Sequence, residues 1–176
     1  MTARSVHLFV NVTGVGYHPA AWLEPDAAPD AFVGLDHYRR VAIAAERGTL
    51  DGLLFPDIPV QQPSIATGPA ATLDPVLLAS ALAVSTERIG LVPTATSTLN
   101  LPYNLARRIL SLDRISGGRV GWNVVTTFEP RAARNFGIDE IPTGVNDQIA
   151  TLQRAAELTA QAMPGLSRME GLEEYW

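Results

Sequence analysis

Residues 85–127 read STERIGLVPTATSTLNLPYNLARRILSLDRISGGRVGWNVVTT, and the order of signals in this stretch decides the fold. An apolar run of strand length at 89–95 ends among the hydroxyl residues Thr94, Thr96, Ser97 and Thr98. Pro102 then opens a segment in which Leu101, Leu105, Ile109 and Leu112 recur at three- and four-residue steps, the period of an amphipathic helix. Gly117-Gly118 ends that helix. A second apolar run at 119–126 follows, with Asn123 and Thr126 toward its end. Strand, helix and strand in this order form a β/α unit, whose crossover helix makes the two strands parallel.

The same alternation extends both ways. Upstream, 53–55 reads as a strand, and Asp74-Pro75 as an N-cap followed by proline at the first helical position. That helix is expected to run to residue 88 with Leu77, Leu78, Ala81 and Leu82 facing inward. Farther back, 35–47 is a helix with Leu35, Tyr38, Ala42 and Ala45 on one face, and 6–12 is a strand. Downstream, a loop containing Asn135-Phe136-Gly137 leads to a last helix at about 146–163, with Ile149, Leu152 and Ala156 inward and Pro164 as its stop. Residues 165–176 carry no clear period. The expectation is a single α/β domain over 1–176 with about four β/α units, parallel strands and a diverged C-terminal tail from about residue 164.

Four such units make either a small doubly wound sheet or half of an eight-fold barrel, because a complete (β/α)8 TIM barrel takes about 250 residues. The doubly wound reading needs a Gly-x-Gly-x-x-Gly turn after the first strand. Here Gly14-Val15-Gly16 is followed by Tyr17-His18-Pro19-Ala20, so the dinucleotide fingerprint fails.

Composition narrows the chemistry. The chain has 176 residues, 47% of them hydrophobic and 18% charged, with a net charge of -5. A core is affordable without staples, and intrinsic disorder is excluded. There is no cysteine, and all 13 positive charges are arginine, so thiolate metal sites, cysteine nucleophiles and lysine Schiff bases are absent. The acidic balance argues against nucleic acid and anionic membranes as partners. The N-terminal residues lack the apolar run of a secretory signal, and no stretch approaches a membrane span, which points to a cytoplasmic protein.

The polar residues cluster where strands finish. Tyr17 and His18 follow the first strand, Asp57 the second, Thr94 to Thr98 the third, and Asn123, Thr126 and Thr127 the fourth. In parallel β/α folds ligands bind at that edge. Hydroxyls, an amide and a carboxylate without a cationic cluster suit a planar hydrogen-bonding ligand. Each residue also has a local explanation. Asp57 could cap a turn, the threonines could simply end a strand, Asn123 could make a structural hydrogen bond, and His18 could pack in its loop. Arg107-Arg108 reads as a solvated or ion-paired helix face.

At these positions the sequence resembles the luciferase-like, FMN-dependent monooxygenases, in the branch that acts on nitrilotriacetate, dibenzothiophene sulfone and long-chain alkanes. The matching stretches are HPAAW at 18–22, AERGTLDGLLFPD at 45–57, the quoted run at 85–127 and NFG at 135–137. The resemblance implies a TIM barrel, of which this chain would be the N-terminal half. It also implies reduced FMN delivered by a separate NAD(P)H:flavin reductase, and insertion of one oxygen atom from O2 into a small organic substrate. By the same resemblance Asp57, Thr96, Asn123 and Thr126 contact the flavin, and His18, the catalytic candidate, borders its substrate side. A His-x-x-Arg-Tyr segment usual in the family is replaced here, with Val145, Gln148 and Ile149 at its positions. Two other readings remain: a non-catalytic or vestigial half-barrel subunit, and a deazaflavin-dependent oxidoreductase. An open sheet leads us to expect a homo-oligomer or a complementary half-barrel chain as partner.

Overall fold

A computed structural model of the chain describes residues 6–14, 16–18, 20–28, 33–60, 73–127, 129–141 and 144–162. The elements are β1 (Phe9–Asn11), α1 (Leu35–Arg47), β2 (Gly52–Phe55), α2 (Pro75–Ala83), β3 (Gly90–Thr96), α3 (Pro102–Ser116), β4 (Asn123–Val125), α4 (Ala132–Asn135) and α5 (Val145–Ala162). The strands form one sheet in the order β1-β2-β3-β4, every neighbouring pair parallel. Each crossover advances one strand in the same direction, the winding of a (β/α)8 barrel, and four units make a partial TIM barrel.

Local chemistry sets the helix limits. Asp74 caps α2 through Oδ1, which accepts from the backbone N–H groups of Val76 and Leu77, both at 2.9 Å, and Pro75 takes the first helical position. The helix ends at Ala83, five residues short of the expected 88. Beyond it the N–H groups of Glu87, Arg88 and Ile89 turn to the Glu46 carboxylate instead of back along the helix. α3 ends at Gly117, whose left-handed φ of 70° suits glycine.

The core lies between the sheet and α1, α2 and α3. Leu53, Phe55, Leu91 and Ala95 project from the strands against Ala42, Leu82, Leu105, Ile109 and Leu112, all buried. Each fully buried leucine contributes about 1.5–3 kcal/mol. The opposite sheet face is the inner wall of the arc. There Phe9 lies across Gly52, its register partner, and a Cβ at that glycine would collide with the ring.

Four expected inward residues face out. Leu77 and Leu101 are 68% and 71% exposed, and Leu35 and Ile149 are also exposed. Leu101 is the cap residue rather than part of α3, and Leu35 opens α1, so both precede the turns that reach the core. Apart from Ser80, α2 is apolar on every side, so periodicity could not choose its buried face, which is Pro75, Val76, Leu78, Ala79, Leu82 and Ala83. Leu152 is half-buried as α5 packs on α3, and the Ala156 side chain lies outside the described residues. β1 and β4 are shorter than expected. Before β4 proper, Val120 makes an isolated bridge to Leu91 and Trp122 Nε1 donates to Ala95 O at 3.0 Å. The expected loop around Asn135 contains the short helix α4. The tail from residue 164 lies outside the described residues.

Candidate functional site

Where β2, β3 and β4 finish, a cavity of about 100 Å³ opens, lined by Asp57, Ile58, Pro59, Thr96, Val125, Thr126, Thr127 and Glu129. Strand alternation builds it. Thr94 and Thr96 project to the inner face because Ala95 between them packs into the core. The parallel register sets Asn123 beside Thr94 and Val125 beside Thr96.

The tips of β3 and β4 are laced by hydrogen bonds. The Thr127 hydroxyl donates to Thr96 Oγ1 at 2.7 Å, and the Thr98 N–H donates to the same oxygen at 3.2 Å. In this orientation both Thr96 lone pairs are engaged, and its own proton is left to donate. Thr127 N donates to Thr98 Oγ1 at 3.1 Å, and Ser97 N donates to Val125 O at 2.8 Å. The hydroxyls are thereby fixed before any ligand arrives.

Two carboxyl groups line this cavity in opposite electrostatic settings. Burial pushes the Asp57 carboxyl above its usual range and the Asp74 charge pushes the same way, opposed by the Ile58 N–H and by Arg108. Glu129 is held below its usual range by the Arg131 guanidinium, which donates from Nε to Oε1 at 2.9 Å and from Nη2 to Oε2 at 3.1 Å. Asp57 therefore retains a proton more readily than Glu129.

Of the residues expected from sequence, Asp57, Thr96 and Thr126 meet at the cavity. Asn123 sits one step deeper on the inner face, outside the lining, and its Nδ2 donates to Thr94 Oγ1 at 2.8 Å. His18 is not brought to the cavity. It is exposed in the loop after β1, and its Nδ1 accepts from Ala20 N at 3.1 Å, so a local turn accounts for it. Ile149, at the family's tyrosine position, is exposed, and the Val145 and Gln148 side chains lie outside the described residues. Glu129 escapes sequence reasoning because a Glu-x-Arg pair in a loop carries no period and no motif. Its only signal is its place two residues beyond the last rim threonine. Among the described residues no cluster of His, Asp and Glu could hold a metal ion, and no helix is long and apolar enough to cross a membrane.

Comparison with known proteins fits this architecture. The family model described as luciferase-like monooxygenase matches residues 11–170. Nitrilotriacetate monooxygenase component A of Aminobacter aminovorans is 41% identical over 136 residues, covering 70% of this chain and 30% of that protein. Among solved structures, EDTA monooxygenase from Chelativorans sp. BNC1 superposes with a TM-score of 0.82 at 33% identity, over 89% of this chain and 38% of the other. A riboflavin lyase solved with modified FMN and riboflavin superposes with a TM-score of 0.76, also at 33% identity, over 88% of this chain and 36% of the other. The chain spans about 30% of the length of the curated relatives it matches first. With the matched region covering most of its residues and the winding of its sheet in agreement, the chain belongs to the luciferase-like monooxygenase family.

Proposed function

We propose that this chain is the flavin-gripping portion of an FMN-dependent monooxygenase that oxygenates a small organic substrate. The observation that carries the reading is the meeting of Asp57, Thr96 and Thr126, from three different strand ends, around one cavity at the rim where β/α folds bind ligands.

The donor set fits one edge of a flavin ring. Three threonine hydroxyls and the carboxyl groups of Asp57 and Glu129 offer donors and acceptors without a cationic cluster, as an uncharged heterocycle edge with its own N–H and carbonyl groups requires. About 100 Å³ accommodates such an edge rather than a whole tricyclic ring. Thr96, Thr126 and Asp57 would hold that edge, and Asn123 would support it from below through Thr94. Bound there in reduced form, FMN supplies the electrons with which O2 is activated for insertion of one oxygen atom. The protein's part is orientation by prefixed hydroxyls and exclusion of water by the half-buried Pro59 and Val125. Reduced FMN would come from a separate flavin reductase. His18 stays a candidate for the substrate side only if its loop rearranges.

Anaerobic equilibrium binding of reduced FMN tests the reading, with the Thr126→Val variant beside the parent chain. Saturable binding, weakened about tenfold in the variant as a lost buried hydrogen bond of roughly 1.4 kcal/mol requires, is the expected result. Absence of flavin binding by the parent chain would favour the non-catalytic subunit instead.

A further inference from the structure

We infer that Arg108, on α3, is a positioning residue for the cavity rim, bracing the Thr96 end of β3 through Asn100 and the start of α2 through Asp74. The inference rests on the flavin-site reading above, because it assigns Arg108 a role toward that same cavity.

The hydrogen bonds form one continuous path. The Asn100 side-chain amide donates from Nδ2 to the Thr96 carbonyl at 2.8 Å. Its Oδ1 accepts from Arg108 Nη1 at 3.2 Å, and Arg108 Nη2 donates to Asp74 Oδ2 at 2.8 Å. The other Asp74 oxygen caps α2. A planar guanidinium is suited to this place because its two terminal nitrogens diverge at a fixed angle, so one group sets the separation between the β3 tip and the α2 start. Thr96 is the best anchored of the cavity's hydroxyls, and this path fixes its backbone while Thr127 and Thr98 fix its side chain.

The same pair acts on Asp57 from outside the cavity. Asp74 opposes ionisation of Asp57 and Arg108 favours it. Glu129 also faces the cavity, and its charge is matched by Arg131 on the same loop. The ion pair at the α2 start is therefore placed to set both the shape of the rim and the charge state of the carboxyl in it.

The test compares the parent chain with Arg108→Gln, Arg108→Lys and Asp74→Asn. The Asp57 carboxyl is titrated by carbon NMR without flavin, and reduced FMN affinity is measured separately. Arg108→Gln is expected to move the Asp57 titration upward, Asp74→Asn to move it downward, and Arg108→Lys to leave it near the parent, since charge is kept while the fork is lost. Both Arg108 variants should weaken reduced FMN binding about fivefold, as loss of one bracing hydrogen bond predicts. An Asp57 titration that moves in neither Arg108→Gln nor Asp74→Asn overturns the inference, as does unchanged flavin affinity in both Arg108 variants. If the parent chain binds no flavin, the flavin-site reading fails while the Asp57 titration still decides whether Arg108 and Asp74 control that carboxyl.

Discussion

At the end of the sheet where the strands begin, charged side chains are spent on the backbone; at the end where they finish, hydroxyls and two carboxyl groups are kept around a space. Arg119, entering the region before β4, donates from Nε to Ser116 O, from Nη1 to Ile89 O and Thr86 Oγ1, and from Nη2 to Ala83 O and Thr86 O, at 2.7–3.1 Å. Glu46 on α1 accepts from three successive N–H groups ahead of β3. Asp51, ahead of β2, accepts from Leu8 N and pairs with His7. At the opposite rim the hydroxyls of Thr96 and Thr127 serve each other, and Asp57 carries a raised pKa beside a cavity. Charge satisfied by fixed backbone groups defines a structure, whereas preorganised groups facing a space define a site, which is the division of labour expected between the two faces of a β/α barrel.

The strongest challenge to this contrast is Arg119→Ala. Removing the guanidinium strands the Ala83, Thr86, Ile89 and Ser116 carbonyls that it satisfies, at a cost of about 3 kcal/mol. Urea unfolding should report that loss, with reduced FMN affinity unchanged in the fraction that stays folded. A loss below about 1 kcal/mol would mean that the strand-start end is not the structural one.

The contrast was only half legible in the sequence. Threonines and Asp57 at strand ends could be read because strand period and turn signals fix where a parallel strand stops, and the ligand rim follows from that. The clamps at the other end could not be read. Glu46 meets residues 41 to 43 positions away, and Arg119 reaches back 30 to 36 positions to Ala83, Thr86 and Ile89, separations at which no local pattern survives. Glu46 also holds the backbone of residues 87–89, at the point to which α2 was expected to run. Glu129 and the Asn100–Arg108–Asp74 path belong to the same class, since a side chain that acts through a loop or across two helices leaves no period behind.

Glu46→Ala sharpens the comparison at the level of about 1 kcal/mol, because its partners are near solvent and screening reduces the loss. Burial raises the Glu46 pKa, but the N–H donors of Arg88, Glu87 and Ile89 and the Arg88 charge outweigh it and hold the carboxyl below its usual range. A carboxylate that titrates lower when folded stabilises fully above its unfolded pKa and loses that contribution as pH falls through the folded value. Unfolding curves of the parent and Glu46→Ala should therefore differ at neutral pH and converge in acid. A constant difference across that range would show that Glu46 acts by packing rather than by its charge.

Asp57→Asn has the smallest expected effect and the opposite sign. Burial, with Asp74 adding to it, raises the Asp57 pKa, so the folded chain disfavours the ionised form. For a carboxyl raised on folding, stability is complete below its unfolded pKa and declines as pH rises through the folded value. Asparagine is neutral throughout, so Asp57→Asn should be the more stable protein at pH 7, by an amount within about 1 kcal/mol for a half-buried, partly screened group, and the difference should vanish in acid. Thermal melts across the acidic range measure both parts. The same substitution should weaken reduced FMN binding, because an ionised carboxylate accepts a hydrogen bond from a ring N–H more strongly than a neutral amide oxygen does. Stability gained and ligand affinity lost in one substitution identify a group retained for binding at a cost to the fold, the reverse of Arg119. If Asp57→Asn is instead less stable at pH 7, Asp57 is a structural cap, and the rim and the base of this sheet are built on the same principle.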